Sequence, residues 1–277
     1  KAGSGGGICK TYHEMKMYSR LHSYTVTGRR FEIFSQQFRF ESSMNTQLKE
    51  TSSQIRYWHP GMECCDEIWE AAYRRFETPG EEMKKFLKRF QKLGVDQWDQ
   101  NQSVVELFCG QGTGLHVLEK MGFHAIEGVD LSPHLLEQYQ GSAQLYVADC
   151  RDLKFEDHSR DLLIVQGGLH HLPDLPADLD QTLSEMKRVL RPGGHVVIVE
   201  PWRTPFLRFV HTVSEIKLFR KLWSKLDAFA IMTEQEITTY EQWLSQPEEI
   251  LTLLNRYFHK EQQIVAYGKL MYVGRKI

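Results

Sequence analysis

Apolar residues follow two different rhythms along the chain. In residues 66–93, Trp69, Ala72, Tyr73 and Phe76, then Met83, Phe86, Leu87 and Phe90, recur every three or four positions, which gathers apolar side chains on one helical face. Thr78-Pro79-Gly80 interrupts the run, so two helices are predicted, the second started by Thr78 with Pro79 behind it and stopped by Gly94. From Ser103 onward, short apolar runs alternate with helical stretches. Residues 104–108, 125–129, 144–147, 162–166 and 195–199 read as strands, and 115–121, 133–139 and 179–190 as helices. Such alternation with right-handed crossovers predicts a mostly parallel sheet covered on both faces, with ligands beyond the carboxyl ends of its strands. Residues 206–240 break the alternation with Phe, Leu, Trp, Ile and Met at helical intervals and read as an inserted helical lid. A helix at 247–254 follows. Strands at 258–266 and 270–273, joined by Tyr267-Gly268, close the chain as an antiparallel pair and bring the predicted strands to seven.

Composition narrows the classes without choosing among them. A chain of 277 residues suits one main core with an added helical segment, and 34 basic against 36 acidic residues give no pull toward phosphate backbones or anionic membranes. Nucleic acid is therefore disfavoured as a partner. Cys9, Cys64, Cys65, Cys109 and Cys150 are odd in number and irregularly spaced, which argues against a disulfide framework and fits a reducing compartment; a cytoplasmic location is expected. Apolar runs such as 196–199 fall far below the roughly 20 residues that span a bilayer. The Gly-rich opening KAGSGGGICK lacks an initiator Met and reads as a flexible or vector-derived end. Residues 1–43 as a whole, with seven Lys/Arg against three Glu, read as a flexible or leader-like segment, and Met44 is a candidate natural start. The expected division is then 1–43, a helical cap at 44–100, and a main domain at 101–277 with its helical insertion at 203–245.

Candidate chemistry concentrates where strands end. Val104-Val105-Glu106-Leu107-Phe108-Cys109-Gly110-Gln111-Gly112-Thr113-Gly114 is a buried strand entering a glycine-rich turn and then a helix, a place where the backbone can approach a ligand closely. A tight strand-to-helix turn with no ligand would use the same glycines. Asp130 ends the second strand, sixteen positions beyond Gly114, where one acid can take two hydrogen bonds from a ribose diol. A dinucleotide oxidoreductase would show the same acid, but GxGxxG needs a glycine where Leu115 stands. Asp149 follows the third strand, suited either to an adenine amino group or to a strand-end turn. The fourth strand empties into Gln166-Gly167-Gly168-Leu169-His170-His171-Leu172.

In ELFCGQG at 106–112, the acid of GVD at 128–130, ADC at 148–150, LHHL at 169–172 and RVLRPGG at 188–194, the chain resembles the class I S-adenosylmethionine-dependent methyltransferases, particularly their small-molecule group. The likeness is close from Ser103 to Trp202 and loose beyond. It implies a Rossmann-like, doubly wound α/β fold whose mostly parallel seven-stranded sheet ends in an antiparallel last strand. It also implies S-adenosylmethionine as cofactor and S-adenosylhomocysteine as product. By that resemblance Glu106 orients the loop or binds the methionine ammonium, and Gly110 and Gly112 pass beside the cofactor, flanked by Phe108, Cys109 and Gln111. Asp130 with Leu131 holds the ribose end, Asp149 and Cys150 the adenine, and Gln166 the methionine portion. Phe108 departs from the family pattern, which usually has Gly there.

Methyl transfer is an in-line displacement at a sulfonium, so positioning and desolvation carry most of it. For a hydroxyl or acidic-carbon acceptor, His170 or His171 is the candidate base, with at most one of these neighbours facing the pocket; a structural role in the loop is the alternative. Glu200, Trp202, Arg203, His211, Tyr240 and Trp243 stand near the expected acceptor, where core packing also explains them. Neither the His pair nor the scattered Cys offers three convergent ligands, so no metal is expected. A small-molecule acceptor and a monomer or homodimer complete the expectation. The alternatives are a cofactor-binding assembly or regulatory protein without turnover and, less favoured because QGGL replaces the Asn/Asp-Pro-Pro-aromatic signature, a nucleic-acid methyltransferase.

Overall fold

A computed structural model describes residues 54–62 and 67–277. The expectations for residues 1–43, for Met44 and for Cys9, Cys64 and Cys65 lie outside the described residues. Eight strands run in chain order: β1 (Ile55–Tyr57), β2 (Ser103–Leu107), β3 (Ala125–Asp130), β4 (Gln144–Val147), β5 (Arg160–Gln166), β6 (Leu190–Pro201), β7 (Phe258–Ala266) and β8 (Lys269–Lys276). They form one sheet ordered β1-β4-β3-β2-β5-β6-β8-β7. Neighbours from β1 through β6 are parallel, β8 is antiparallel to β6, and β7 is antiparallel to β8. The helices are α1 (Glu67–Phe76), α2 (Pro79–Leu93), α3 (Thr113–Lys120), α4 (Pro133–Leu136), α5 (Ala177–Val189), α6 (Pro205–Ser214), α7 (Lys217–Leu222), α8 (Ser224–Gln235), α9 (Ile237–Ser245) and α10 (Pro247–Tyr257).

The sheet is the Rossmann-like one expected, with an antiparallel last strand, but it has eight strands rather than seven. The addition, β1, is only three residues long and too short to show alternation; its pairing with Leu145–Val147 of β4 makes it a strand. The two central strands are buried on both sides, which is why they read as continuous apolar runs. Val105, Leu107, Leu163 and Val165 pack with Leu179, Leu183 and Met186 of α5 and Leu253 and Leu254 of α10. Val104, Leu162 and Ile164 face the other way, onto Leu115 and Leu118 of α3 and Phe90 and Leu93 of α2.

Local chemistry sets the element ends. Thr78 Oγ1 accepts from the Glu81 amide at 3.4 Å while Glu81 takes the Thr78 amide at 3.0 Å, a reciprocal cap that starts α2. Gly94, at φ 74°, ends that helix in the left-handed conformation. The stretch expected as a helix at 133–139 keeps one turn, after which Tyr139 is drawn into a bond to Glu119 at 2.7 Å. The expected turn before the fifth strand instead forms the start of β6, where Leu190 pairs with Arg160. Tyr267 and Gly268, both at positive φ, make the two-residue turn between β7 and β8. Thr78→Ala should lower unfolding stability by about 1 kcal/mol in urea titrations, the usual cost of losing an N-cap; an unchanged midpoint would mean the cap contributes nothing to α2.

Candidate active site

Beyond the carboxyl ends of β2 to β5 the sheet opens into a crevice of about 1560 Å³, more than the roughly 300–1,000 Å³ of a site for one drug-sized ligand. Side chains of α1, α2, α6, α8 and α9 border it opposite the strands. Of those helices, α8 is joined to α1 by Arg75 to Asp227 at 3.1 Å and by the Phe76 and Phe229 rings at 6.1 Å, and to α2 by Lys225 to Glu81 at 2.7 Å.

Glu106, on β2, is buried, and no cation among the described residues pairs with it. Burial pushes its carboxyl up to about 8, against the lowering pull of Gln166 and the Leu115 amide. Gln166 Nε2 donates to Glu106 Oε1 at 3.3 Å, while Glu106 Oε2 and Gln166 Oε1 are buried without a partner. Only a glycine at 114 leaves room for this carboxylate, because a Cβ there would overlap both its oxygens. Phe108 stands outside the strand at φ 57°, a conformation uncommon for a large side chain, and its ring lies where a Cβ on Gly168 would be. Phe where the family usually has Gly is thus accommodated by a glycine on the next loop.

Asp130, at the end of β3, closes the same loop: its Oδ2 accepts from the Gly110 amide at 2.8 Å and its Oδ1 from Ser132 at 2.9 Å. Burial raises its pKa against these bonds. Gly110 takes φ 51°, while Gly112 does not line the crevice; its glycine is demanded by the Tyr139 ring, which a Cβ would strike. Gln111 and Leu131 do line it. The Asp149 carboxylate already accepts from Arg151 through the backbone at 2.9 Å and the guanidinium at 2.6 Å, which leaves little acceptor capacity toward a ligand. Cys109 and Cys150 are buried thiols whose pKa values burial raises, and Cys150 contacts Thr182 at 3.6 Å.

His170 and His171 both border the crevice, but differently. His170 is buried, with Nδ1 at 2.8 Å from Glu200 Oε2, and Glu200 Oε1 accepts the amides of Gly168 and Leu169 at 2.9 and 2.8 Å. Desolvation opposes its charge, but Glu200 and Glu236 outweigh it and hold the imidazole up at about 9. His171 keeps 39% of its side chain exposed, and desolvation together with the His170 charge lowers its pKa. Trp202 and Trp243 are core: Trp243 is buried and donates to the Pro201 carbonyl at 2.8 Å. Arg203 pairs outward with Glu241 at 2.9 Å, and His211 contacts Tyr240 Oη at 3.3 Å.

A family model described as a methyltransferase domain matches residues 105–198, the segment that carries the glycine loop, both strand-end acids and the His pair. The chain thus carries a methyltransferase domain over this segment. It is 28% identical to the ubiquinone/menaquinone biosynthesis C-methyltransferase UbiE of Geotalea daltonii over 179 residues, 55% of this chain and 74% of that protein. It is 32% identical to the demethylmenaquinone methyltransferase of Staphylococcus aureus strain MRSA252 over 129 residues, 43% of this chain, and spans about half (51%) of that relative. In fold it resembles the PH0226 protein of Pyrococcus horikoshii OT3, with a TM-score of 0.57 and 17% identity over 77% of this chain and 100% of that one.

Two carboxylates of the crevice escape sequence reasoning. Glu82 lies in the first turn of α2, where an acid suits the helix dipole, yet it is buried and accepts from Tyr73 and, at 2.9 Å, from Thr113. Glu236 sits between α8 and α9 inside the apolar insertion and comes within 4 Å of both histidines. Neither has a sequence signal. Gly168→Ala should destabilise the protein by about 1–3 kcal/mol through overpacking against Phe108, and the cost should vanish when Phe108→Gly is added, which removes the ring and the Cβ that an added methyl would meet. Equal costs in both backgrounds, measured by denaturation, would separate the two residues.

Proposed function

We propose that this crevice holds S-adenosylmethionine and a small organic acceptor together, and that the protein moves the methyl group between them, releasing S-adenosylhomocysteine. The supporting observation is the pair of buried, unpartnered oxygens, Glu106 Oε2 and Gln166 Oε1, beneath the glycine loop. Two acceptors without donors fit the ammonium of an amino-acid ligand. Such a cation also supplies a countercharge against the burial that drives Glu106 toward its protonated form.

S-adenosylmethionine supplies an electrophilic methyl on a sulfonium. Gly110, Cys109 and Gln111 present their loop to its amino-acid end, and Phe108 covers one side. Asp130 retains acceptor capacity beyond its two amide bonds for ribose hydroxyls. With Asp149 clamped by Arg151, recognition of adenine falls to the backbone around Asp149 and Cys150 and to the side chain of Leu131. On the acceptor side, Phe229 and Tyr240 receive an apolar body. His171, kept unprotonated, accepts a proton from a hydroxyl or acidic carbon, while Glu200 holds His170 in place beside it. The quinone-pathway relatives support an acceptor with a ring that carries such a group.

Calorimetry with S-adenosylmethionine and S-adenosylhomocysteine, joined to a methyl-release screen over ring-bearing acceptors, tests this reading; tight binding without turnover on any acceptor would favour a cofactor-holding assembly role. Asp130→Ala should weaken cofactor binding by about 1–3 kcal/mol, the scale of hydrogen bonds to a charged acceptor, and unchanged affinity would place the ribose elsewhere. Affinity should also depend on pH with a definite sign. Below about 8 the free protein holds Glu106 protonated, so binding an ammonium must release that proton and tightens as pH rises. Above that, the ligand's own amine, near about 7.7–8.0, loses its charge and binding weakens again. Glu106→Gln should erase the rising limb; a rising limb that persists in the variant would assign the titration to another group.

A further inference from the structure

The His-Glu cluster at the acceptor end has a donor set that proton transfer alone does not explain. We propose that His170 Nε2, His171 Nδ1 and one carboxylate oxygen of Glu236 form a binding site for a divalent transition cation of the zinc type. One ligand atom from each residue lies within 4.8 Å of the others, with His170 Nε2 3.8 Å and His171 Nδ1 3.9 Å from the Glu236 oxygens. A cation bonded at about 2.0–2.2 Å in tetrahedral geometry wants its donors about 3.3–3.6 Å apart, so the three ligand atoms, now within 4.8 Å of one another, close by up to about 1.5 Å to seat it. Two imidazoles and one carboxylate are the ligand types such ions select.

The surroundings supply what a ligating histidine needs behind it. Glu200 takes the far nitrogen of His170 at 2.8 Å, which aims Nε2 at Glu236, and Glu200 is itself fixed by the Gly168 and Leu169 amides. Two buried carboxylates, Glu200 and Glu236, around two imidazoles carry the charge that one divalent cation balances. Three protein ligands leave at least one position open to the crevice, the arrangement of a reactive rather than a purely structural site. There the cation would hold an acceptor oxygen and stabilise its ionised form, with His171 acting as ligand instead of free base. Occupancy of the site does not rest on the methyl-transfer reading, whereas this role does.

The test uses the full chain, stripped with a chelator and titrated with Co2+ and Zn2+ alone. One equivalent of Co2+ with visible d–d absorption, displaced by Zn2+, is expected. Glu236→Gln and the half-exposed His171→Gln should each abolish the band, and Glu200→Gln should weaken uptake about 10- to 100-fold, the effect of losing a partner behind a ligating histidine. No stoichiometric uptake, or uptake unchanged in folded His171→Gln, overturns the site and leaves a bare imidazolium-carboxylate network. S-adenosylhomocysteine binding by the stripped protein is measured alongside. Binding of that product without Co2+ uptake removes the metal and keeps the transferase reading, and the reverse outcome removes the transferase reading alone.

Discussion

An acid with no countercharge at the end of the central strand governs the geometry around it. Burying a carboxylate is tolerable only if it is protonated, hydrogen-bonded or paired, and Glu106 draws on the first two through its raised pKa and Gln166. The space for it comes from Gly114, so that glycine serves volume, whereas Gly110 serves a left-handed turn. The turn in turn hands its amide to Asp130. Since β2 and β3 pair through Leu107 and Val129, the two acids are held by one register, and a shift of either strand would move both.

The parts of this fold that follow a period were legible in the sequence. Strands β2 to β5 and the Tyr267-Gly268 turn lie within a few residues of expectation, because continuous burial and turn chemistry leave local marks. What sequence could not show are features defined by a distant partner. Ile55–Tyr57 is a strand only because β4 offers its edge. Phe108 looks like an intrusion until Gly168 is seen beneath its ring. Glu236 sits in an apolar, helical stretch, and nothing in its neighbourhood announces two histidines from the end of β5. The expectation of no metal rests on the His pair alone, because His170 and His171 are visible in the sequence and the third carboxylate near them is not.

Gly167 and Gly168 join the two chemistries of the crevice. On one side Phe108 packs over Gly168 and leads back to the Glu106 loop; on the other, the Gly168 amide anchors Glu200 and through it His170. The donor-seeking oxygens and the imidazole cluster are thus set by one short loop on β5, while Glu236 and Tyr240 arrive from the insertion.

The short strand β1 has a consequence that concerns chains in numbers rather than singly. It lies along β4 in the parallel sense, and Trp58 reinforces it by packing its ring on Tyr146, tilted by 31° with centroids 4.1 Å apart. A protein cut back to Ser103 would retain every residue of the glycine loop and the strand-end acids, yet would leave the backbone of β4 bare along an apolar sheet. Unsheltered edges of that kind recruit other strands, so such a fragment would be prone to self-association along β4 even with its crevice intact.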